Sequence, residues 1–282
     1  MHELIFRVDP SLPICWEDHE TLRLGFDRAE ARIPRPSAAT QRLLSALTTG
    51  IPASELTDRL RRLGSTRGDW ARLTSLLGNT LVSVPQPLEH PVRRLRVGVI
   101  GSVRSRDRLA VDSLVGSLGR AGFHAEPYRA EGRAPDLVVV AERFLEARNP
   151  SLLDAAGLPQ LGIRFGDRSI RIGPLAAGGG GPCLWCAAMH DIDKDPALPV
   201  LSAQLFDEVP TSEPMGIEIA GALAVSLIRH WQAGSEMPSR IRLDLPVRDG
   251  LPHLVPLVEE VAPHPECGCA EITPVGADPP QR

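Results

Sequence analysis

Asp136-Leu137-Val138-Val139-Val140 is a continuous apolar run that opens on a carboxylate and is rich in β-branched residues. It shows no alternation of polar and apolar positions. A strand built from it must be covered on both faces, the signature of a strand inside an α/β sheet. Upstream, Leu95 to Ile100 reads the same way and ends at Gly101. Leu109 to Leu118 then has the spacing of an amphipathic helix, Gly122 ends its last turn, and Phe123 to Tyr128 supplies another strand. Strand, helix and strand in that order imply a parallel sheet of Rossmann-like type. Leu161-Gly162-Ile163-Arg164, Ser169-Ile170-Arg171-Ile172, Ile241 to Leu245 and Leu254 to Val261 read as further strands. Gly216 to Gln232 is apolar almost all round and is expected to be a buried helix.

Residues 1–84 carry a different pattern. Ile14-Cys15-Trp16 and Thr21 to Phe26 bracket the polar turn Glu17-Asp18-His19-Glu20, a hairpin, and Ala31-Arg32-Ile33-Pro34 adds a third strand. Three helices follow. Ser37 caps the first, in which Leu43, Leu44 and Leu47 share a face before Gly50. The second carries Leu56, Leu60 and Leu63 and stops at Gly64; the third carries Trp70, Leu73, Leu76 and Leu77 and stops at Gly78. Leu81 to Val84 closes the segment as a strand, giving a small winged-helix-like α+β module. The proline-rich stretch from Pro85 to Pro91 marks a linker over 85–94. The α/β domain then spans 95–273, and a disordered tail is expected over 274–282.

The chain has 282 residues, 43% of them apolar and 23% charged, with a formal net charge of −4. That composition supports a sizeable core and supplies no basic field for nucleic acid. Met1-His2-Glu3-Leu4 lacks the basic start and apolar run of a secretory signal. The longest apolar stretch, Ile217 to Ile228, contains Glu218 and is too short to cross ~30 Å of hydrocarbon. A cytoplasmic protein without membrane contact is expected.

Four of the five cysteines fall in two close pairs, Cys183-Leu184-Trp185-Cys186 and Cys267-Gly268-Cys269. Zn²⁺ prefers tetrahedral thiolate coordination, and two intervening residues let both sulfurs of a pair reach one ion. Gly178 to Gly181 and Pro182 precede the first pair, and Gly268 gives the second its sharp turn. The expected site is a closed, structural zinc held by Cys183, Cys186, Cys267 and Cys269. A redox pair is the competing account, but it leaves Cys267 and Cys269 unexplained. His190 and His264 are the candidate substitute ligands.

No other constellation is as specific. The turn after Ile100 holds Gly101 but not the glycines that bring backbone close to phosphate. Arg104, Arg106 and Arg108 crowd it and read as a solvated basic turn, and the acidic residue nearest the next strand, Glu126, lies inside that strand rather than after it. ATP is therefore not expected as a cofactor, and no nucleotide-binding residue is assigned. Asp191, Asp193 and Asp195 around Lys194 read as a charged loop, and Cys15 beside Trp16 as a small buried hydrophobe. No catalytic residue is assigned.

Gly162-Ile163-Arg164-Phe165, Arg171-Ile172-Gly173-Pro174-Leu175 and Gly181-Pro182-Cys183-Leu184-Trp185-Cys186 resemble the ubiquitin-activating (ThiF-type) adenylyltransferase superfamily, where such a stretch runs from the central sheet into the first zinc pair. Cys183 through His190, Asp195-Pro196, Ser202-Ala203-Gln204-Leu205 and His264-Pro265-Glu266-Cys267-Gly268-Cys269 look like actinobacterial members, the bacteriocin-biosynthesis cyclodehydratase or leader-peptide-binding group. Cys15 to Asp27 and Leu44 to Gly50 are similar to the winged-helix recognition element of that group. The resemblance implies an adenylyltransferase-type fold, a homodimer, and a precursor leader peptide or partner segment bound by strand addition. It also implies that ATP chemistry belongs to a YcaO-type partner enzyme, since no YcaO domain is visible here. On that reading the peptide contacts Arg32 and Ile33 on the strand and Arg67, Trp70 and Leu73 on the third helix. The expected role is a non-catalytic scaffold; the alternatives are an active ATP-dependent adenylyltransferase and a winged-helix DNA-binding regulator.

Overall fold

The computed structural model describes residues 3–85, 94–101, 109–129, 131–145, 157–177, 181–205, 208–210 and 213–270. Most of the expected linker, Arg104, Arg106 and Arg108, Gly178 to Gly180 and the expected tail lie outside them. The chain divides into two compact units, Met1–Val92 and Arg93–Arg282.

In the first unit, β1 (Leu4–Val8) is followed by β2 (Ile14–Trp16), β3 (Thr21–Leu24) and β4 (Ala31–Pro34). The last three form an antiparallel sheet in that order, with Leu22 opposite Ile33 and Leu24 opposite Ala31. Those four side chains are buried, while Arg23 and Arg32 share the outer face. The expected hairpin and third strand are therefore present, and period-2 alternation is the reason. Next come α1 (Ala38–Thr49), β5 (Ile51–Pro52), α2 (Leu56–Arg62), α3 (Arg67–Leu77) and β6 (Leu81–Pro85). Ser37 caps α1 by accepting from the Thr40 amide, as the sequence led us to expect. Gly50 ends it at φ 99°, where an added Cβ would stand 2.6 Å from Ile5 Cγ2. Thr66 and Asp69 form a reciprocal capping box at the start of α3. β5, β1 and β6 make a second antiparallel sheet. The pairing of β1 with β6 joins the two ends of the unit, and the core gathers Leu43, Leu47, Leu60, Leu73 and Leu77 from the helices against the strands.

The second unit is built on an eight-stranded sheet. Its strands are β7 (Arg96–Ile100), β8 (His124–Pro127), β9 (Leu137–Arg143), β10 (Gln160–Phe165), β11 (Ser169–Ala176), β12 (Ile241–Arg248), β13 (Leu251–Pro252) and β14 (Leu257–Glu260). Their order is β13-β12-β11-β10-β9-β7-β8, with β14 also paired to β12. β8, β7, β9 and β10 are parallel, as expected from α4 (Leu109–Arg120) crossing between β7 and β8. All seven residues of β9 are buried; the apolar run foretold this for Leu137 to Val140, whereas the burial of the charged Glu142 and Arg143 had no such sign. From β11 onward the sheet is antiparallel rather than parallel. The reason is length: only Gly166, Asp167 and Arg168 separate β10 from β11, too few to make a crossover.

Among the described residues, three further α-helices follow: α5 (Leu184–Lys194), α6 (Leu198–Gln204) and α7 (Glu213–Gln232). α7 is not buried all round. It packs Ile217, Ala220, Ala224, Leu227 and Ile228 onto α4 and the sheet and leaves Glu218, Arg229 and His230 exposed. Gly221 permits the close approach to α4, since a Cβ there would lie 3.0 Å from the Ser117 side chain. α5 covers the opposite face, where Leu184 packs with Val138 and Val140. Among the described residues, no helix is long and apolar enough to cross a membrane.

Candidate metal centre and the charged cluster beside it

Cys183 is the N-cap of α5, its sulfur accepting from the Cys186 amide at 3.4 Å. One helical turn thus sets the first two thiols side by side, with their sulfurs 3.7 Å apart. The helix is seated by Gly162 of β10, where a Cβ would come within 2.9 Å of Leu184 Cδ2. Cys267 and Cys269 return from the far end of the unit, at 3.6 Å from the Cys183 sulfur and 3.3 Å from the Cys186 sulfur respectively. All four sulfurs lie within 4.8 Å of one another. A tetrahedron of thiolates at Zn–S ≈ 2.3 Å has edges of about 3.8 Å, so the spacing suits one ion with a small outward adjustment.

The protonation chemistry points the same way. Hydrogen bonding from Cys183 is the main reason that Cys186 is lowered, to about 4. Burial, then the neighbouring Cys186, pushes Cys269 up to about 12. The protein alone favours the Cys186 thiolate and resists a second one at Cys269, because burial and then the hydrogen bond with Cys186 oppose that charge. A divalent cation removes that resistance, and this donor set could hold one.

The closing turn is braced by histidines that the sequence offered as substitute ligands. His264, 5% exposed, accepts the Cys267 amide on its carbonyl at 3.0 Å and the Glu266 amide on Nδ1 at 3.1 Å. An amide can only donate, so the imidazole proton sits on Nε2, 2.9 Å from Asp193 Oδ2. His190 Nε2 lies 2.9 Å from the Ala262 carbonyl, and the two rings meet edge to face at 4.9 Å. Both rings are thus engaged in holding 262–267 against α5.

Asp191, Asp193 and Lys194 are on α5, not in a charged loop, and Asp191 is 2% exposed. Helical spacing turns it inward, where Arg242 of β12 grips it with two hydrogen bonds of 2.8 Å. Arg164 of β10 and Arg171 of β11 approach the same carboxylate at 2.8 and 2.9 Å. Glu142 pairs with Arg164, Asp244 with Arg171, and Glu259 with both Arg242 and Lys194. Burial pushes the Asp191 carboxyl up, but the hydrogen bonds and charge of Arg242, then of Arg171 and Arg164, outweigh it and hold the group below its usual range. Burial likewise works against the Arg242 charge, and Asp191 and Glu259 more than restore it. The sequence hid this cluster because its members come from β9, β10, β11, α5, β12 and β14; the one local signal was arginine in otherwise apolar strands.

The residues singled out for peptide contact occupy different settings. Ile33 and Leu73 are each 1% exposed and belong to the core of the first unit, so they support its surface rather than form it. Arg32 is on the outer face, paired through two nitrogens with Glu17 at 2.6 and 3.0 Å. Trp70 is half-buried and meets Phe6 edge to face at 5.4 Å. Arg67 is exposed at the start of α3. Cys15 is exposed rather than buried. In the second unit, Glu126 pairs with Arg96 at 2.7 Å.

No family model and no curated protein matches this chain. Solved structures do. The heterocyclase TruD superposes with a TM-score of 0.62 at 16% identity, over 95% of this chain and 43% of TruD. A heterocyclase in complex with substrate and cofactor gives 0.58 at 13% identity, over 92% of this chain and 38% of that one. MccB of E. coli, in complex with MccA-N7isoASN, gives 0.51 at 10% identity over 95% of this chain and 100% of MccB. The chain therefore spans about two fifths of the length of those heterocyclases, and at these identities the likeness establishes a heterocyclase-related fold.

Proposed function

We propose that this chain is the non-catalytic scaffold of a peptide-modifying system of the cyclodehydratase type. Residues 1–84 act as a winged-helix-like recognition module, 85–94 as a linker, and 95–273 as a ThiF-like domain stapled by one Zn²⁺ on Cys183, Cys186, Cys267 and Cys269. The cargo is a precursor leader peptide, which adds as a strand to β4. The homodimer presents it to a YcaO-type enzyme that supplies the ATP chemistry. The observation that carries this reading is the sheet β2-β3-β4: among the described residues, β4 has a partner strand on one side only, and α3 packs against it. An open strand edge beside a helix can take an extended peptide through main-chain hydrogen bonds. Arg32 and Arg67 give that surface exposed cationic side chains, and Trp70 adds a half-buried aromatic. The fold likeness to two heterocyclases supports the choice of system.

The test is titration of the full chain with a fluorescently labelled precursor peptide encoded beside its gene. Saturable binding is expected, weakened about tenfold or more by Arg32→Glu with Arg67→Glu. Absence of binding to any such peptide would remove the reading.

A further inference from the structure

Past the carboxyl ends of β9 and β10 lies a cavity of about 700 Å³. Ligands of open α/β sheets gather beyond the carboxyl ends of parallel strands, and a cavity of this size suits a small molecule. Its two sides differ in chemistry. One carries Arg164 and Arg171, directly opposite each other in the β10–β11 register and so two like charges side by side. Asp191 holds both from beneath, while Glu142 and Asp244 take their Nε atoms. Among the described residues, the hydrogen bonds of these two arginines use Nε and Nη1 and none uses Nη2. The cluster as a whole is charge-balanced, so the mark of a site is the unspent N–H donors of two fixed guanidinium planes beside a cavity.

The rest of the lining includes Asp167, Arg168, Gln204 and Glu208 as well as an aliphatic stretch. Leu201, Leu205 and Val209 line the cavity and remain 46%, 37% and 45% exposed, an apolar wall with no cover among the described residues. The wall is held in place: Ser202 of α6 bonds the backbone of Leu145 through both its amide and its carbonyl. The arginines are held equally firmly by their carboxylates. Such a site is formed before a ligand arrives.

We propose that this cavity binds a small aliphatic carboxylate, its oxygens on the Arg164 and Arg171 Nη2 groups and its apolar body against Leu201, Leu205 and Val209. Paired guanidinium donors suit a planar carboxylate, and the wall rejects a purely hydrated anion. The carboxylate could be a peptide C-terminus or a free fatty acid. This inference does not rest on the scaffold reading, which concerns the first unit.

Calorimetry on the full, zinc-loaded chain tests it, with N-acetyl-leucyl-leucine, its C-terminal carboxamide, decanoate and inorganic phosphate as probes. At least one of the two carboxylates is expected to bind at least tenfold more tightly than both the carboxamide and phosphate. Preference for the dipeptide points to a peptide terminus and preference for decanoate to a fatty acid. Leu201→Glu, on the exposed wall, is expected to weaken binding tenfold or more with an unchanged circular dichroism spectrum. Arg171→Gln should do the same, and it is scored only if its melting transition stays cooperative. No saturable binding of either carboxylate overturns the proposal. So does a carboxamide or phosphate that binds as tightly as the acids, or a Leu201→Glu protein that binds unchanged.

Discussion

Asp191 shows how much one side chain can carry when three arginines meet it. Replacing it with Asn keeps the shape but leaves Arg242, 3% exposed at its side chain, buried without its main counter-charge. A loss of about 3–5 kcal/mol in unfolding free energy is expected, measured by urea denaturation. The pH dependence has a definite sign. The folded carboxyl lies below its unfolded value of about 3.9, so its contribution is complete above roughly pH 4–5 and disappears as pH falls through the folded value. Wild type and Asp191→Asn should therefore differ fully at pH 7 and converge only in strong acid. Cys183 carries a different prediction. Cys183→Ser removes one of the four proposed ligands and an N-cap at once, so zinc per chain by elemental analysis should fall from about one to near zero.

Helix ends and helix crossings are where elements declare themselves. Thr66 satisfies the Asp69 amide at 3.1 Å, and Asp69 returns the bond to the Thr66 amide at 2.8 Å. Thr66→Ala should cost about 1 kcal/mol, read in the melting of the first unit. At the crossing of α4 and α7, Gly221→Leu would force four carbons into a gap already closed by Ser117. A loss of about 1–3 kcal/mol, with weaker cooperativity, is expected from the same denaturation measurement. Both devices involve residue types legible in sequence, but only the cap is local. Thr66 and Asp69 are three residues apart, whereas nothing near Gly221 announces Ser117.

Each unit closes its own core, and this sets how the whole molecule should respond to loss of metal. The first unit draws its core from residues between Val8 and Leu77 and contains no part of the four-cysteine group. A chelator should therefore lower the melting temperature of the second unit while leaving the first unchanged, giving two resolved transitions in calorimetry. Acid should act like chelator at pH values where thiolates reprotonate. The edge formed by β13, β14 and the bend between them exposes Leu254 at 91%, Val258 at 66% and Leu257 at 60%. An apolar edge of that kind seeks cover. If the proposed homodimer uses it, Leu254→Asp with Val258→Asp will shift the sedimenting species from dimer to monomer.

The sequence by itself determined whatever depends on local period and local chemistry. The apolar run of β9, the alternation of β3 and β4, the caps Ser37 and Gly50, and the pairing of cysteines at short spacing all follow from residues within a helical turn or a strand of one another. The tertiary structure alone decided the rest. It turned the sheet antiparallel at β11, placed Asp191 under three arginines from three strands, buried Ile33 and Leu73, and opened a cavity between an arginine pair and an aliphatic wall. Side chains as far apart in sequence as Arg171 and Asp244 meet there, and one-dimensional spacing holds no record of which distant neighbour will fill a gap or neutralise a charge.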